Sequence, residues 1–364
     1  MQSQRLTKTI MLLVTYKCNL HCSYCYEPKQ TFFQMNVEKA KEYILKQVNK
    51  LGDEYDSFEV QFMGGEPLLV FPMIKDVSEW LWKQHFCKPM KMLFAPTNGT
   101  LLSAEMKTWL LANRHRFCLG LSFDGDNLMQ NINRSESFNL INIEFFAKTW
   151  PEQSVKMTVS PQTVGHLAKG VNYLFDRGFN DVVADLAMGD HAVWNKLSLT
   201  TLKEQLNILV KEYIGNTQKP RVSLLQLNLD DIFKLEKNDK CCSCGEHLVC
   251  IDFDGAEYAC HLFSPIASDK SKAKKGEQID FSSHEQFVTK KCKMCQLINL
   301  CNRCAGMNFL CNNDVAEPLR FHCAAFKIVF LANCRLQYLL ASKENNHHRM
   351  VMIEKLINSI SLII

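Results

Sequence analysis

Cys18, Cys22 and Cys25 stand in the arrangement Cys-x3-Cys-x2-Cys directly after the apolar run from Ile10 to Val14. Thiolates at this spacing, on a loop closing over eight residues, reach three corners of a 4Fe-4S cube and leave the fourth iron without a protein ligand. An open iron is a place for a reactant, whereas an electron-transfer ferredoxin closes that position with a fourth cysteine. The triplet therefore points to catalysis.

Such a loop needs strands to hold it. The run from Ile10 to Val14 reads as the first, and Ser57 to Met63, with β-branched and aromatic residues, as the second. The second strand ends in Gly64-Gly65-Glu66-Pro67-Leu68. Glycine serves where backbone approaches a ligand closely, and Glu66 offers negative charge to a cationic amino group. Thr97-Asn98-Gly99-Thr100 ends a third strand (Lys91 to Pro96), and Ser122-Phe123-Asp124-Gly125 a fourth (Phe117 to Leu121). Polar turns at the same end of successive strands are what a parallel barrel with its active site at the C-terminal face requires. The alternation continues through Ser154 to Ser160, a helix from His166 to Arg177, and Asp181 to Met188. Six strand–helix units are too few for a closed eight-unit barrel, so the expected fold is α/β, a partial (β/α)6 TIM-like barrel.

Together these motifs resemble those of radical S-adenosylmethionine (SAM) enzymes. In that family SAM chelates the open iron through its amino and carboxylate groups. One electron from the cube breaks a carbon–sulfur bond, and the 5′-deoxyadenosyl radical abstracts hydrogen from an inert carbon. The resemblance implies that Tyr24, Gly64, Gly65, Glu66, Pro67, Asn98, Ser122, Asp124 and Arg134 line the SAM site. Relatives often carry a His-Asp pair before the arginine, and Gln130-Asn131 stand there instead.

Eleven of the 17 cysteines crowd into the stretch from Cys241 through Cys323. The order Cys244-x10-Gly255-x4-Cys260, then Cys292-x2-Cys295-x5-Cys301-x2-Cys304 and Cys323, resembles the SPASM domain, which holds auxiliary iron–sulfur clusters. The resemblance implies one cluster on Cys244, Cys260 and Cys304 and another on Cys292, Cys295, Cys301 and Cys323, for three 4Fe-4S clusters in all. Cys241 or Cys242 completes the first auxiliary set, with Cys241 favoured because Cys-x2-Cys chelates better than Cys-x-Cys, unless that iron stays open. Relatives usually have three residues, not two, before the last cysteine of the quartet. Zinc is the rival occupant, but the five residues between the pairs fall short of the roughly 15–20 of a zinc ribbon. The expected organisation is a barrel over residues 1–225, a cysteine-rich SPASM domain over 226–335 and a C-terminal helical tail over 336–364.

The formal charge of +4 becomes about −1 once three cubes and their thiolates are counted, and the basic residues are scattered, so nucleic acid is not an expected partner. Neither the run Ile10 to Val14 nor the tail Ile360 to Ile364 approaches the roughly 20 apolar residues of a membrane span. No signal peptide precedes Cys18, and so many thiols suit a reducing compartment, which makes the expected location cytoplasmic. Apolar residues at helical spacing beyond Ala324 are expected to pack on the core, in two helices interrupted at Glu344–His348.

SPASM-bearing relatives mostly modify peptides and proteins. In sulfatase maturases the residue after the Gly-x4-Cys cysteine is a proton-accepting aspartate. Here it is His261, and Cys260-His261-Leu262-Phe263 looks more like thioether-forming peptide maturases. An unperturbed imidazole near pKa 6.5 suits proton acceptance. The expected function is maturation of a ribosomally made peptide by crosslink, thioether or similar bond. Formylglycine formation in sulfatases is the alternative, followed by a small-molecule radical dehydrogenase and a non-enzymatic electron carrier. Expected partners are the peptide or protein substrate and an electron donor such as flavodoxin or ferredoxin. With 17 residues ahead of Cys18, leader recognition is expected from a separate protein, from the open side of the barrel, or not at all.

Overall fold

The computed structural model describes residues 6–27, 33–216, 218–234, 239–240 and 242–361. In chain order the elements are β1 (Leu6–Thr15), α1 (Val37–Val48), β2 (Tyr55–Gly64), α2 (Phe71–Leu81), β3 (Met90–Thr97), α3 (Ala104–Asn113), β4 (Phe117–Leu121), α4 (Asn127–Asn133), α5 (Ile143–Thr149), β5 (Val155–Val159), α6 (Leu167–Asp176), β6 (Asp181–Leu186), α7 (Lys196–Gly215) and β7 (Arg221–Val222). They continue with β8 (Leu248–Ile251), β9 (Glu257–Tyr258), α8 (Lys270–Gly276), α9 (Lys290–Lys293), α10 (Ala305–Asn312), α11 (His322–Lys343) and α12 (His347–Ser361). The six strand–helix units expected from the sequence are all present, from β1 through α7.

The chain packs as two compact units, Met1–Ser122 with Asn139–Gln153 and Cys242–His284, and Phe123–Phe138 with Ser154–Cys241 and Glu285–Ile364. The first unit holds a six-stranded sheet in the order β4-β3-β2-β1-β8-β9. β1 pairs in parallel with both β2 and β8, and Ile10, Leu12, Leu13 and Val14 are wholly enclosed. Burial on both faces explains why the run is continuously apolar rather than alternating. Helix α1 starts where Asn36 accepts the Glu38 and Lys39 amides, and it buries Ala40, Ile44 and Val48, one residue per turn.

Strand β8 comes from the cysteine-rich stretch and lies in register with Thr9–Leu12. The Asp252-Phe253-Asp254-Gly255 segment is the turn from β8 into the antiparallel β9, closed by Asp252 N–H to Ala256 O at 2.9 Å. Gly255 there has φ +87°, and a Cβ would stand 2.9 Å from the Tyr43 ring, so both backbone and space call for glycine. Asp252 accepts a short hydrogen bond from the Tyr16 hydroxyl just past β1, and burial pushes its carboxyl up to about 6. This bond ties the end of β8 to the end of β1.

The second unit holds the parallel sheet β5-β6-β7. Val155, Met157, Val159, Val182 and Ala184 are buried, while Lys156, Thr158 and Asp185 point from the other face. Helices α6 and α7 bury Leu167, Val171 and Leu174, and Leu202, Leu206 and Leu209, at helical spacing. The C-terminal region forms two helices, α11 and α12, with Asn345 in the left-handed conformation between them. Among the described residues α11 is long and apolar enough to cross a membrane by composition. Its Phe330 and Cys334 nevertheless sit in a buried cluster with Leu229, Leu297, Leu300, Ile353 and Leu356. Phe330→Ala should therefore cost about 3–5 kcal/mol of stability in denaturant unfolding of the second unit. A loss below about 1 kcal/mol would place α11 outside the core.

Candidate functional site

The cysteine loop leaves β1 at Thr15, whose hydroxyl donates to Phe33 O at 2.9 Å and accepts the Lys17 amide at 3.2 Å. Cys18, Cys22 and Cys25 are half-buried thiols. Cys25 N–H closes a turn onto Cys22 O at 3.1 Å, and Leu20 N–H points at Cys18 Sγ at 3.5 Å. Tyr24, inside this turn, is half-buried. Thiols on one loop, with amide hydrogens directed at a sulfur, are the donor chemistry a 4Fe-4S cube takes, because the anionic cluster sulfurs accept hydrogen bonds.

Gly64 and Gly65 lie against this loop's own backbone. A Cβ on Gly64 would come 2.2 Å from Thr15 O, and one on Gly65 2.5 Å from Lys17 O. Gly65 and Glu66 amides donate to those same carbonyls at 3.1 and 2.9 Å. Pro67 opens a short 3-10 turn, Pro67–Val70, capped by Glu66. The Glu66 carboxylate is 1% exposed. It accepts the Leu68 amide at 3.0 Å, the Thr97 hydroxyl at 2.8 Å and the Asn98 amide at 2.7 Å. A carboxylate offers about four acceptor sites, so most of Glu66 is committed to protein. Its geometry joins the ends of β2 and β3, where sequence alone aimed it at a ligand. The Asn98 side chain turns back to the loop, donating to Asn19 Oδ1 at 2.9 Å, with Cys18 Sγ at 4.0 Å. Ser122, after β4, donates its amide to Thr97 O at 2.9 Å.

In the second unit Asp124 is fully buried. Its Oδ1 accepts the Thr158 amide at 2.9 Å and lies 3.0 Å from Arg134 Nε, and its Oδ2 accepts Asn133 Nδ2 at 3.1 Å. Arg134 closes the C-terminal end of α4 and is 7% exposed. Gln130 is a brace: its Oε1 accepts the Asp124 amide and its Nε2 donates to Ser137 Oγ, each at 2.8 Å. Asn131 accepts the Phe138 amide at 3.0 Å. Lys156, not singled out by sequence, contacts Asp185 across the sheet. The Val-Lys-Met-Thr-Val alternation was the available signal, since it sets Lys156 on the face away from the buried valines.

The cysteine-rich segments divide between the units. Cys244, buried, and Cys260, half-buried, belong to the first, where Gly245 N–H to Ala259 O at 3.1 Å pairs their flanking segments. Cys242 Sγ lies 3.2 Å from Cys244 Sγ. Cys241 lies outside the described residues. In the second unit Cys295 N–H closes onto Cys292 O at 3.0 Å, the same turn seen at Cys22 and Cys25. Burial and the neighbouring Cys292 and Cys295 push the Cys323 thiol up. Cys301 Sγ lies 3.3 Å from His322 Nε2, and Cys304 caps α10. Among the described residues no three His, Cys, Asp or Glu side chains group tightly enough for a single metal ion. A cube spreads its thiolates over separate irons.

His261 is half-buried, and desolvation of its ring lowers its pKa from the free imidazole value to about 4. At neutral pH the ring is neutral and a weaker base than sequence implied. Its Nε2 lies 2.8 Å from the Tyr26 hydroxyl, and its buried Nδ1 has no hydrogen-bond partner among the described residues. Nothing local in the sequence distinguishes Tyr26, next to Cys25, from Tyr24; only the fold brings it to His261.

Comparison with known proteins places this geometry. Residues 12–191 match the radical SAM superfamily. The cysteine-type anaerobic sulfatase-maturating enzyme of Clostridium perfringens is 24% identical over 359 residues, 86% of this chain and 92% of that protein. A solved structure of native anSMEcpe with bound AdoMet superposes with a TM-score of 0.70 at 19% identity, covering 93% of this chain and 99% of that one. Streptococcus suis SuiB bound to its precursor peptide SuiA gives 0.53 at 15% identity, over 81% and 71%. These likenesses show the radical SAM α/β fold, and a radical SAM domain implies a 4Fe-4S cluster and SAM. The chain belongs to the radical SAM superfamily, whose domain occupies residues 12–191, and it is a radical SAM enzyme.

Proposed function

We propose that this enzyme is a maturase that removes hydrogen from a residue of a ribosomally made peptide, leading to a crosslink, thioether or similar bond. The observation that carries the reading is the Cys260-His261-Leu262-Phe263 segment, with histidine rather than aspartate after the cysteine; the likeness over 86% of the chain, which runs past residue 191 into the cysteine-rich stretch, supports a maturase without choosing the bond it makes. When bound, the cluster and SAM supply a radical able to take hydrogen from carbon. Cys18, Cys22 and Cys25 would hold the cluster. The backbone at Gly65 and Asn98, braced by Glu66, would orient SAM. His261 and Tyr26 would hold a proton near Cys260. Two auxiliary clusters on the downstream cysteines, a flavodoxin or ferredoxin donor, a leader-recognition partner and a cytoplasmic location belong to the same proposal.

Formylglycine formation is the second reading, favoured by the 92% coverage of the Clostridium enzyme. Against it stands His261, directly after Cys260, where the resembling sulfatase maturases carry a proton-accepting aspartate. Wild-type enzyme with SAM and reductant should cleave SAM and remove hydrogen from a precursor peptide encoded nearby, giving no formylglycine on a sulfatase peptide, and His261→Asp should not create that activity. Mass spectrometry showing formylglycine from the wild-type enzyme would reverse the order of the two readings.

Anaerobic reconstitution should load about twelve irons per chain, and the triple alanine variant at Cys18, Cys22 and Cys25 should lose about four of them together with all SAM cleavage. Zinc in place of eight of the irons would remove the auxiliary clusters from the proposal.

Glu66→Ala leaves the buried Thr97 hydroxyl and Asn98 amide without their acceptor. SAM affinity should fall by roughly 1.5–3 kcal/mol with iron content unchanged, measured by equilibrium binding. Unchanged affinity would confine Glu66 to joining strand ends.

A further inference from the structure

We propose that His322 donates a hydrogen bond to the Cys301 sulfur and thereby raises the midpoint potential of the auxiliary cluster that Cys301 would hold. The inference rests on the auxiliary-cluster reading above. His322 is the first residue of α11, and its Nε2 lies 3.3 Å from Cys301 Sγ, within hydrogen-bond reach of sulfur. A cluster-bound thiolate carries no proton, so only an N–H on the imidazole can make this contact attractive; a lone pair facing the sulfur would be repelled. The ring is held in place. It lies nearly parallel to Phe326 one turn on, at 9° and 6.4 Å between centroids, and both line a cavity of about 390 Å³ with Arg303, Cys304, Asp185 and Leu227.

Hydrogen bonds to cluster sulfurs stabilise the more negative, reduced state and raise the potential. Local sequence does not announce this role, since His322 reads as a neighbour of Cys323 while its ring reaches a cysteine 21 residues upstream.

The test uses full-length reconstituted protein, with the triple alanine variant at Cys18, Cys22 and Cys25 assigning the auxiliary signals in EPR-monitored redox titrations. His322→Phe keeps a ring against Phe326 and removes the donor. At the wild-type midpoint its reduced-to-oxidised ratio should fall about tenfold, a downward shift of about 59 mV for one electron. His322→Gln, which retains an N–H, should recover most of the shift. Pulsed EPR on the unmutated reduced protein should show an exchangeable proton coupled to that cluster, a readout independent of whether either variant folds. An unchanged midpoint with eight auxiliary irons present would overturn the inference and leave the clusters standing. Directly coordinated nitrogen in the pulsed spectrum would overturn it by making His322 a ligand. Auxiliary cysteines without iron in the wild type would overturn the cluster reading itself.

Discussion

A buried carboxylate governs the architecture of the first unit. Glu66 is removed from water, a costly state for an ionised acid unless donors replace the solvent, and three donors do: the Leu68 amide, the Thr97 hydroxyl and the Asn98 amide. Those donors lie in the turn after β2 and at the end of β3. Satisfying the charge therefore pins two strand ends to each other. Gly64 and Gly65 allow the same segment to touch the Thr15 and Lys17 carbonyls, where any side chain would collide. The cysteine loop leaves from that point, and its direction is inherited from this contact.

The second unit uses a comparable device. Asp124 is likewise buried and accepts a backbone amide, that of Thr158 on β5, while Arg134 supplies a neighbouring positive charge. In both places a buried acid accepts a main-chain amide, a charge-assisted bond that fixes the segment carrying the acid. Gln130 and Asn131 extend the bracing to the loop after α4.

The cysteine-rich stretch contributes to the sheet as well as to prospective clusters. β8 covers the free edge of β1, and the two-residue β9 leaves little edge beyond it. The Tyr16–Asp252 bond locks the far ends of β1 and β8, so Cys260 follows a segment whose position depends on the N-terminal strand. Tyr26 and His261 meet in the same unit.

Sequence by itself determined what is local. The cysteine spacings, the strand–turn order, the glycine turns and the break before α12 are each written within a few residues, because main-chain hydrogen bonding and side-chain period act over that range. β1 was legible from Ile10–Val14 because burial on both faces demands a continuous apolar run. Tertiary structure alone decided which distant groups meet: His261 and Tyr26 are 235 residues apart, Asp252 and Tyr16 are 236 apart, and β8 enters the sheet beside β1. It also turned Glu66 toward Thr97 and Asn98 and lowered the His261 pKa to about 4. Residue type sets what a group can do in water, but the direction of a buried group and its proton affinity depend on the donors and the low-dielectric surroundings that folding brings to it.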